Sequence, residues 1–179
     1  MQSDTSQTNG RPVASRTIEM ESYESGPGRI ITEGLLRDDR HIQFNGFNGE
    51  AQPTGRFHSI KAGIEIDVES MRIEDIHVEL QDVPHAECRE LGNRYSQLQG
   101  LHIESGFTRA VLQLLGGNKG CAHLTHLIIT MGPAMVQAAF TYQTRSETSA
   151  TPSREQVHNY FIDSCHIWRA GGKYALQHG

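Results

Sequence analysis

The sequence predicts one α+β domain, in which about four antiparallel strands come first and helices then pack on one face of the sheet. Its 179 residues suffice for one compact domain and are too few for two well-packed ones. Apolar residues recur with a two-residue period from residue 29 to residue 80, as strands require. After Pro84 the period lengthens towards that of helices. This order of strands followed by helices is typical of the α+β class.

The clearest strand prediction covers residues 59–69, where five apolar residues alternate with charged or small ones. Residues 71–80 alternate as well, but their apolar phase switches at Glu74 and Asp75. Two adjacent polar residues at such a switch predict a β-bulge or a strand that crosses between faces.

Two earlier strands are predicted over residues 29–36 and 41–47. Asp38-Asp39 lies between them and favours a hairpin turn, and Asn48-Gly49 ends the second strand. Together with the two later strands, they are expected to form an antiparallel β-meander.

The helical predictions begin with residues 85–98. Ser105 is placed to cap a second helix that Gly116-Gly117 stops, and Asn118 to cap a third. Pro133 must kink or end that third helix, because proline lacks the N–H of a helical hydrogen bond and clashes one turn back.

The first 27 residues are rich in Ser, Thr, Gln, Gly and Glu. Such a composition buries little apolar surface, so residues 1–27 are predicted to be a flexible arm and residues 28–179 the folded domain. A second polar stretch, residues 144–154, is predicted to be a loop before the C-terminal segment.

Charge and composition exclude several classes of protein. The formal net charge of −5 argues against a general nucleic-acid or anionic-membrane surface, both of which need clustered Lys and Arg. The N-terminal residues lack a signal-peptide pattern, and no apolar run approaches the ~20 residues of a membrane helix. An odd number of cysteines, three, argues against a disulfide framework. We expect a cytoplasmic protein.

The segment GGNKGCAHLTH (116–126) is the densest in reactive side chains. Cys121 in the first turn of a helix could have a lowered pKa and act as a nucleophile or ligand, or it could be a small core residue. His123 and His126 share a helix face but supply only two of the three or four ligands that zinc needs. A metal site that adds Cys88 and Cys165 stays a weak alternative, since the spacing does not support it. We find no Rossmann, phosphate-loop, nucleophile-elbow or H-E-x-x-H motif.

Single residues are further candidates. His58 shares strand parity with Ile60 and Ile64, so it should point inward, with Arg56 on the same face. Such a histidine either lines a pocket or is hydrogen-bonded in the core. Arg109 could bind an anion or lie on a solvated helix face, and Gln137 could bind a ligand or tie the kink at Pro133.

Several stretches resemble the bacterial domain-of-unknown-function family 2889. They are LRDDR (ending at residue 40), FHSIKAGIEID (57–67), VPHAEC (83–88), LQGLHIESGFTRAV (98–111), LLGGNKGCAHLTHL (114–127) and DSCHIW (163–168). The most specific part follows the glycine pair, where the family more often has G-C-T-H-L-x-E-L. Ala122 here replaces the threonine and His126 the glutamate. A family motif His-x-Met is present as His58-Ser59-Ile60, without its methionine.

The resemblance implies a bacterial cytoplasmic protein from catabolic gene neighbourhoods that handle aromatic or acyl compounds. Within that setting we expect a cofactor-independent acid–base lyase without a metal. Its substrate would be a lignin-derived aromatic dimer such as a phenylcoumaran, from which it would remove formaldehyde to give a stilbene. The expected base is His58 or His123.

The charge stabiliser is expected to be Arg109, Arg56 or a tyrosine, and a homodimer is the expected assembly. Substrate-binding residues are expected at Arg56, Phe107, Leu124, Met131 and Gln137. The alternatives are a non-catalytic small-ligand-binding or assembly protein and a Cys/His metal-binding protein.

Overall fold

A computed structural model describes residues 10–145 and 153–178. It confirms the α+β class: a four-stranded antiparallel sheet carries helices on one face. The strands are β1 (Ala14–Gly26), β2 (Arg29–Arg40), β3 (Phe44–Asn45), β4 (Ala51–Gln52), β5 (Gly55–Asp67) and β6 (Ile73–Asp82). The helices are a 3₁₀ helix (Ala86–Leu98), α1 (Phe107–Leu115), a 3₁₀ turn (Gly117–Lys119), α2 (Ala122–Gln143), α3 (Arg154–Phe161) and α4 (Lys173–His178).

The main sheet has the order β1-β2-β5-β6. β3 and β4 pair as a small separate hairpin in the segment of the chain that connects β2 to β5. β2 alternates strictly: Ile30, Thr32, Gly34, Leu36 and Asp38 are buried, while their neighbours are half-exposed or exposed. The helices cover this inner face. Strict alternation shows that burial on one face sets the register of the strand.

The core forms between the inner face of the sheet and the apolar sides of the 3₁₀ helix, α1 and α2. Its fully buried side chains include Leu36, Ile60, Ile64, Ile66, Ile73, Tyr95, Leu98, Leu115, Leu124, Leu127, Ile128 and Met131. Gly34 permits close contact between β2 and α2, because a Cβ there would lie 2.8 Å from the Met131 sulfur. α2 therefore packs closely against β2 at this point.

The predicted flexible arm is corrected by the structure. Residues 14–26 form β1, which pairs with β2 from Ala14↔Arg40 to Gly26↔Arg29. The segment is polar because β1 is an edge strand. Hydrogen bonds between its backbone and that of β2 hold it in place, and of its side chains only Ile18 and Met20 pack against the core. Residues 1–9 lie outside the described part of the chain, as do residues 146–152 of the predicted loop.

The predicted hairpin turn at Asp38-Asp39 is wrong, since β2 runs through both residues to Arg40. Asp38 is tolerated inside a strand because Arg16 of β1 compensates its charge and His58 of β5 forms a hydrogen bond with it. Tertiary contacts therefore override the local turn preference of aspartate. The predicted strand over residues 41–47 shortens to Phe44–Asn45.

The bulge predicted near Glu74 is confirmed. Glu65 pairs with Asp75 and Ile66 with Ile73, so that Glu74 is the extra residue. A second bulge, which the alternation did not predict, lies in β5: Asp38 pairs with His58 and Asp39 with Arg56, leaving Phe57 unpaired.

The helix boundaries differ from those predicted. α1 follows Gly106, whose φ of 100° lies in the left-handed region, and α2 follows Cys121 rather than Asn118. Pro133 does not end α2. The loss of about 3 kcal/mol that an interior proline costs is offset by burial on both sides, at Met131 and Met135.

Within the described residues, α2 is the one helix with the length and mean hydropathy, 1.2, of a membrane span. Its buried side chains, Leu124, Leu127, Ile128, Met131 and Met135 among them, pack against the sheet. A core helix of a soluble protein passes the same test, so this property alone is weak evidence for a membrane.

Candidate active site

Three side chains from different elements meet where the sheet ends beneath α2. Asp38 comes from β2, His58 from β5 and His123 from the first turn of α2. One ligand atom from each lies within 4.8 Å of the others. The three belong to the stretches LRDDR, FHSIKAGIEID and LLGGNKGCAHLTHL, which are distant in sequence. We call this group the Asp-His-His cluster.

Asp38 is the buried anion of the cluster, only 3% exposed. Arg16 of β1 grips both carboxylate oxygens, with Nε 2.6 Å from Oδ1 and Nη2 2.8 Å from Oδ2. This two-point pairing, together with the hydrogen bond from His58, holds the pKa of Asp38 below its usual range despite burial. Asp38 is therefore ionised at neutral pH and only accepts hydrogen bonds.

His58 is held by this carboxylate. Its Nδ1 lies 3.0 Å from Asp38 Oδ2, and the side chain is 6% exposed. Because the carboxylate cannot donate, Nδ1 carries the proton and Nε2 keeps its lone pair. Burial lowers the pKa of His58, and this effect exceeds the opposing influence of Asp38. The result is an oriented, neutral imidazole.

His123 stacks on His58 and is the more exposed of the two histidines. The ring centroids are 3.9 Å apart at a tilt of 32°, and 32% of the His123 side chain is exposed. Its Nε2 lies 3.7 Å from Asp38 Oδ2, beyond hydrogen-bond distance, and its Nδ1 lies 4.0 Å from Cys121 Sγ. Burial, followed by the nearby His58, lowers the pKa of His123. Two neutral imidazoles thus lie in contact.

Tyr95 of the 3₁₀ helix fixes the start of α2. Its buried hydroxyl accepts a hydrogen bond from the Cys121 N–H at 3.0 Å and lies 2.8 Å from Thr125 Oγ1. Thr125 in turn donates to the Leu115 carbonyl at 3.1 Å. These bonds satisfy polar groups at the helix N-terminus, which has no side-chain cap. His123, two residues on from Cys121, is positioned by them.

Replacing Tyr95 by phenylalanine is expected to lower the free energy of unfolding by about 1–3 kcal/mol, because buried partners lose their hydrogen bonds. Chemical denaturation measures this loss. Tyr160→Phe is the matched control: its half-buried hydroxyl lies 3.4 Å from Gln143 Oε1, a long hydrogen bond. An unchanged stability of Tyr95→Phe would contradict the proposed role of the hydroxyl.

The β5 bulge adds an aromatic wall beside the cluster. The unpaired Phe57 meets the His58 ring edge to face, with centroids 4.9 Å apart, and Phe44 of the hairpin meets Phe57 at 5.6 Å. The Arg40 guanidinium lies over the Phe57 ring, 5.1 Å from its centroid. Bulges commonly redirect a side chain next to a functional site, and this bulge does so for Phe57.

The structure brings two predicted residues, His58 and His123, together. It directs Arg56 elsewhere: the bulge pairs Arg56 with Asp39, and Nε lies 2.6 Å from that carboxylate. Asp38 and Asp39 are consecutive residues and point to opposite faces of the sheet. Arg56 pairs with Asp39 and His58 with Asp38, so the prediction that Arg56 and His58 share a face is wrong. Arg109 is exposed on α1.

The four remaining predicted binding residues fall into two places. Leu124 and Met131 are fully buried in the core, on the side of α2 that faces the sheet. Phe107 and Gln137 line a separate cleft of about 1670 Å³ between α1, α2 and α3. This cleft contains none of the Asp-His-His cluster. Their part in binding substrate stays a prediction.

The cluster also bears on metal binding. Among the described residues, the group of three or more ligands close enough to hold a metal is Asp38, His58 and His123, and it contains no cysteine. Cys88 and Cys121 are half-buried, Cys165 is exposed, and all three are free thiols. The structure therefore does not assemble the site of three cysteines and a histidine.

Sequence reasoning missed Asp38, Arg16 and Arg40. The first was assigned to a turn and the second to a flexible arm. One signal was present: Asp38 shares the two-residue parity of Ile30, Thr32, Gly34 and Leu36 if the strand is extended through it. No local pattern marks Arg16, because its partner is 22 residues away.

Comparison with known proteins identifies the family to which this chain belongs. Neither the curated proteins nor the solved structures yielded a match to this chain. A family model described as a protein of unknown function, DUF2889, matches residues 14–137. The matched region runs from the start of β1 through most of α2 and contains Arg16 and the whole Asp-His-His cluster. Since this match spans more than half of the chain, the protein belongs to the DUF2889 family.

Proposed function

We propose that this protein is a cofactor-independent lyase that uses His58 as a general base on a small aromatic substrate. The observation that carries the proposal is the 3.0 Å contact between His58 Nδ1 and Asp38 Oδ2, which orients a buried neutral imidazole. A base acts best when its pKa lies near the working pH, and a lowered imidazole pKa keeps it unprotonated at pH 7. The carboxylate stabilises the imidazolium formed during the reaction.

The proposed substrate is a lignin-derived dimer of the phenylcoumaran type. His58 Nε2 removes the proton of the primary alcohol, and the carbon–carbon bond to the hydroxymethyl carbon breaks, releasing formaldehyde. The electron pair of that bond forms the stilbene double bond while the aryl-ether C–O bond breaks and phenoxide leaves. The proton on His58 returns to the phenoxide or to water, so no electrons are gained or lost overall.

His123 has a different part in this proposal. It is the exposed imidazole of the cluster, so it is assigned to hydrogen-bonding the substrate alcohol before His58 takes the proton. The phenoxide requires a cation, and no contact joins Arg109, the predicted charge stabiliser, to the Asp-His-His cluster within the described residues, where it is exposed on α1. Two guanidinium groups, those of Arg16 and Arg40, act on both imidazoles and lower their pKa values. Arg16 is already paired with Asp38.

A metal-binding protein is the second candidate, favoured by the compactness of the cluster. The surroundings argue against it. Asp38 Oδ2 already accepts from Arg16 and His58, and Oδ1 accepts from Arg16. A divalent cation would compete with these bonds at Oδ2 and would bind next to two guanidinium charges. We therefore prefer acid–base chemistry to metal binding. The proposed setting is the cytoplasm and the proposed assembly is a homodimer, and neither nucleic acid nor a membrane takes part in the proposed reaction.

The test is to incubate the purified protein with phenylcoumaran-type and diarylpropane-type dimers without added cofactor. We expect formaldehyde and stilbene absorbance to appear in equal amounts with at least one dimer, and chelator treatment to leave the rate unchanged. Binding of a dimer without formaldehyde release would favour the non-catalytic alternative. One equivalent of metal by elemental analysis, lost in His123→Gln but kept in His126→Gln, would favour the metal alternative. His126 is exposed on α2 outside the cluster and serves as the matched control.

A further inference from the structure

We propose that Arg40 and Phe57 form a binding subsite for an aromatic anion, a ring that bears a carboxylate or phenolate group. This inference deepens the proposed function, on which it rests for the identity of the site, by naming the charge of the substrate. It starts from an uneven distribution of charge around the Asp-His-His cluster.

One charge beside the cluster is not balanced. Arg16 and Asp38 neutralise each other through two short hydrogen bonds. His58 and His123 are both neutral at pH 7, since burial lowers each pKa. Within the described residues, the structure gives Arg40 no carboxylate partner, only the Phe57 ring. The charge left unbalanced beside the cluster is therefore the positive charge of Arg40.

The other arginines of the same strand and of its bulged partner behave differently. Arg37 of β2 pairs with Glu19 at 2.9 Å, and Arg56 of β5 pairs with Asp39 at 2.6 Å. Arg29 pairs with Glu65 at 3.6 Å. On a chain with a net charge of −5, carboxylates are abundant, and the β2 guanidinium that lies over the Phe57 ring, beside His58, is the one without such a partner. An unpaired, half-buried guanidinium on an aromatic ring is a common means of binding planar anions.

Parity and the bulge explain the position of Arg40. It is an even-numbered residue of β2, on the face of Leu36 and Asp38, and it is the last residue of the strand. The bulge turns Phe57 so that its ring contacts both the His58 ring and the Arg40 guanidinium. A ring stacked beside Phe57 would thus have its anionic group at Arg40 and its substituents towards His123. In the proposed reaction, the same guanidinium would receive the leaving phenoxide.

The experiment uses three probes on the full chain: benzoate, 4-nitrophenolate and the neutral ester methyl benzoate. Binding is followed by the NMR shifts of the histidine Cε1–H protons. We expect the two anions to bind, with shifts at His58 and His123, and the ester to bind at least tenfold more weakly. Arg40→Gln should weaken anion binding about tenfold or more, as loss of a charge-assisted contact does, and Arg40→Lys should recover part of it. The relative affinity of the two anions shows whether carboxylate or phenolate is preferred.

Arg37→Gln is the matched control, because Arg37 lies three residues away on the same strand and is paired with Glu19. It should change anion binding less than twofold. Equal affinity of Arg40→Gln and the parent for benzoate, or equal affinity of the parent for benzoate and its ester, would overturn the subsite. The two proposals fail separately. If anion binding is lost in Arg40→Gln but no dimer is turned over, the subsite is supported and the lyase is refuted. If a dimer is turned over at a rate that depends neither on Arg40 nor on substrate charge, the lyase is supported and the subsite is refuted.

Discussion

Replacing His58 by glutamine is expected to lower turnover by about 10²–10⁴-fold, the usual contribution of a general base. Glutamine can still donate to Asp38 but cannot accept a proton at neutral pH. The melting temperature should therefore change little, since the buried carboxylate keeps Arg16 and gains an amide donor. Turnover and thermal unfolding are measured on the same preparation. His126→Gln, an exposed substitution on α2, should leave both unchanged.

The pH dependence of activity gives an independent readout of the same residue. His58 must be neutral to act as a base, and its pKa is lowered. The acid limb of kcat/KM is therefore expected below the ordinary imidazole value of about 6.5. Asp38 raises the pKa of His58 in the native protein, so Asp38→Asn should move the limb to still lower pH and reduce the rate. The limb belongs to the coupled His58–His123 pair, with Arg16 and Arg40 facing both rings.

The same shift has a stability consequence of defined sign. A pKa that is lower in the folded state means that the unfolded chain takes up the proton first as pH falls. The free energy of unfolding should therefore be highest above pH 6.5 and should decrease below it, less steeply in His58→Gln than in the parent. Normal turnover by His58→Gln would contradict the assignment, and His123 would then be the base.

Removing residues 1–26 is expected to abolish cooperative folding, although their composition predicts a dispensable arm. The deletion removes β1, which pairs along the whole of β2. It also leaves Asp38 buried without Arg16, and an unpaired buried carboxylate is strongly destabilising. Circular dichroism and thermal unfolding measure the effect. The control deletion removes residues 1–9 only, which end before β1, and should retain the transition.

Arg16→Gln separates the strand from its charge. It keeps the backbone pairing of β1 but removes the guanidinium that holds the pKa of Asp38 down. We expect a folded but less stable protein, in which the pKa of Asp38 is higher than in the parent, as measured by NMR titration of the carboxyl carbon. Cooperative unfolding of the 27–179 fragment at the parent temperature would show that β1 is indeed dispensable.

Much of the architecture was predictable because it follows from local periodicity. The bulge at Glu74 was confirmed, and so was the alternation of residues 60–68, except that Gly63 on the outer face is buried under His77. His58 was expected to point inward from parity alone, and it is 5% exposed. His123 was identified by its place in a dense segment. Each of these inferences needs only neighbours within a few residues.

The site required information that no local pattern contains. Asp38 and Asp39 have the composition of a turn, and residues 14–26 have that of a solvated arm. Both nevertheless lie in strands, because β1 pairs with β2 and Arg16 pairs with Asp38, 22 residues away. Arg56 was placed on the wrong face because one unpaired residue, Phe57, inverts the parity of everything before it in β5.

The sequence by itself determined the α+β class, the inner face of the sheet and the two histidines, because side-chain period and burial are properties of short segments. Only the tertiary structure decided that Asp38, His58 and His123 meet, that Arg16 neutralises the carboxylate and that the Arg40 guanidinium lies over the Phe57 ring. The physical reason is that ion pairs and ring contacts depend on distances between strands. Those distances are set by register, by a one-residue bulge and by the close contact of α2 with Gly34.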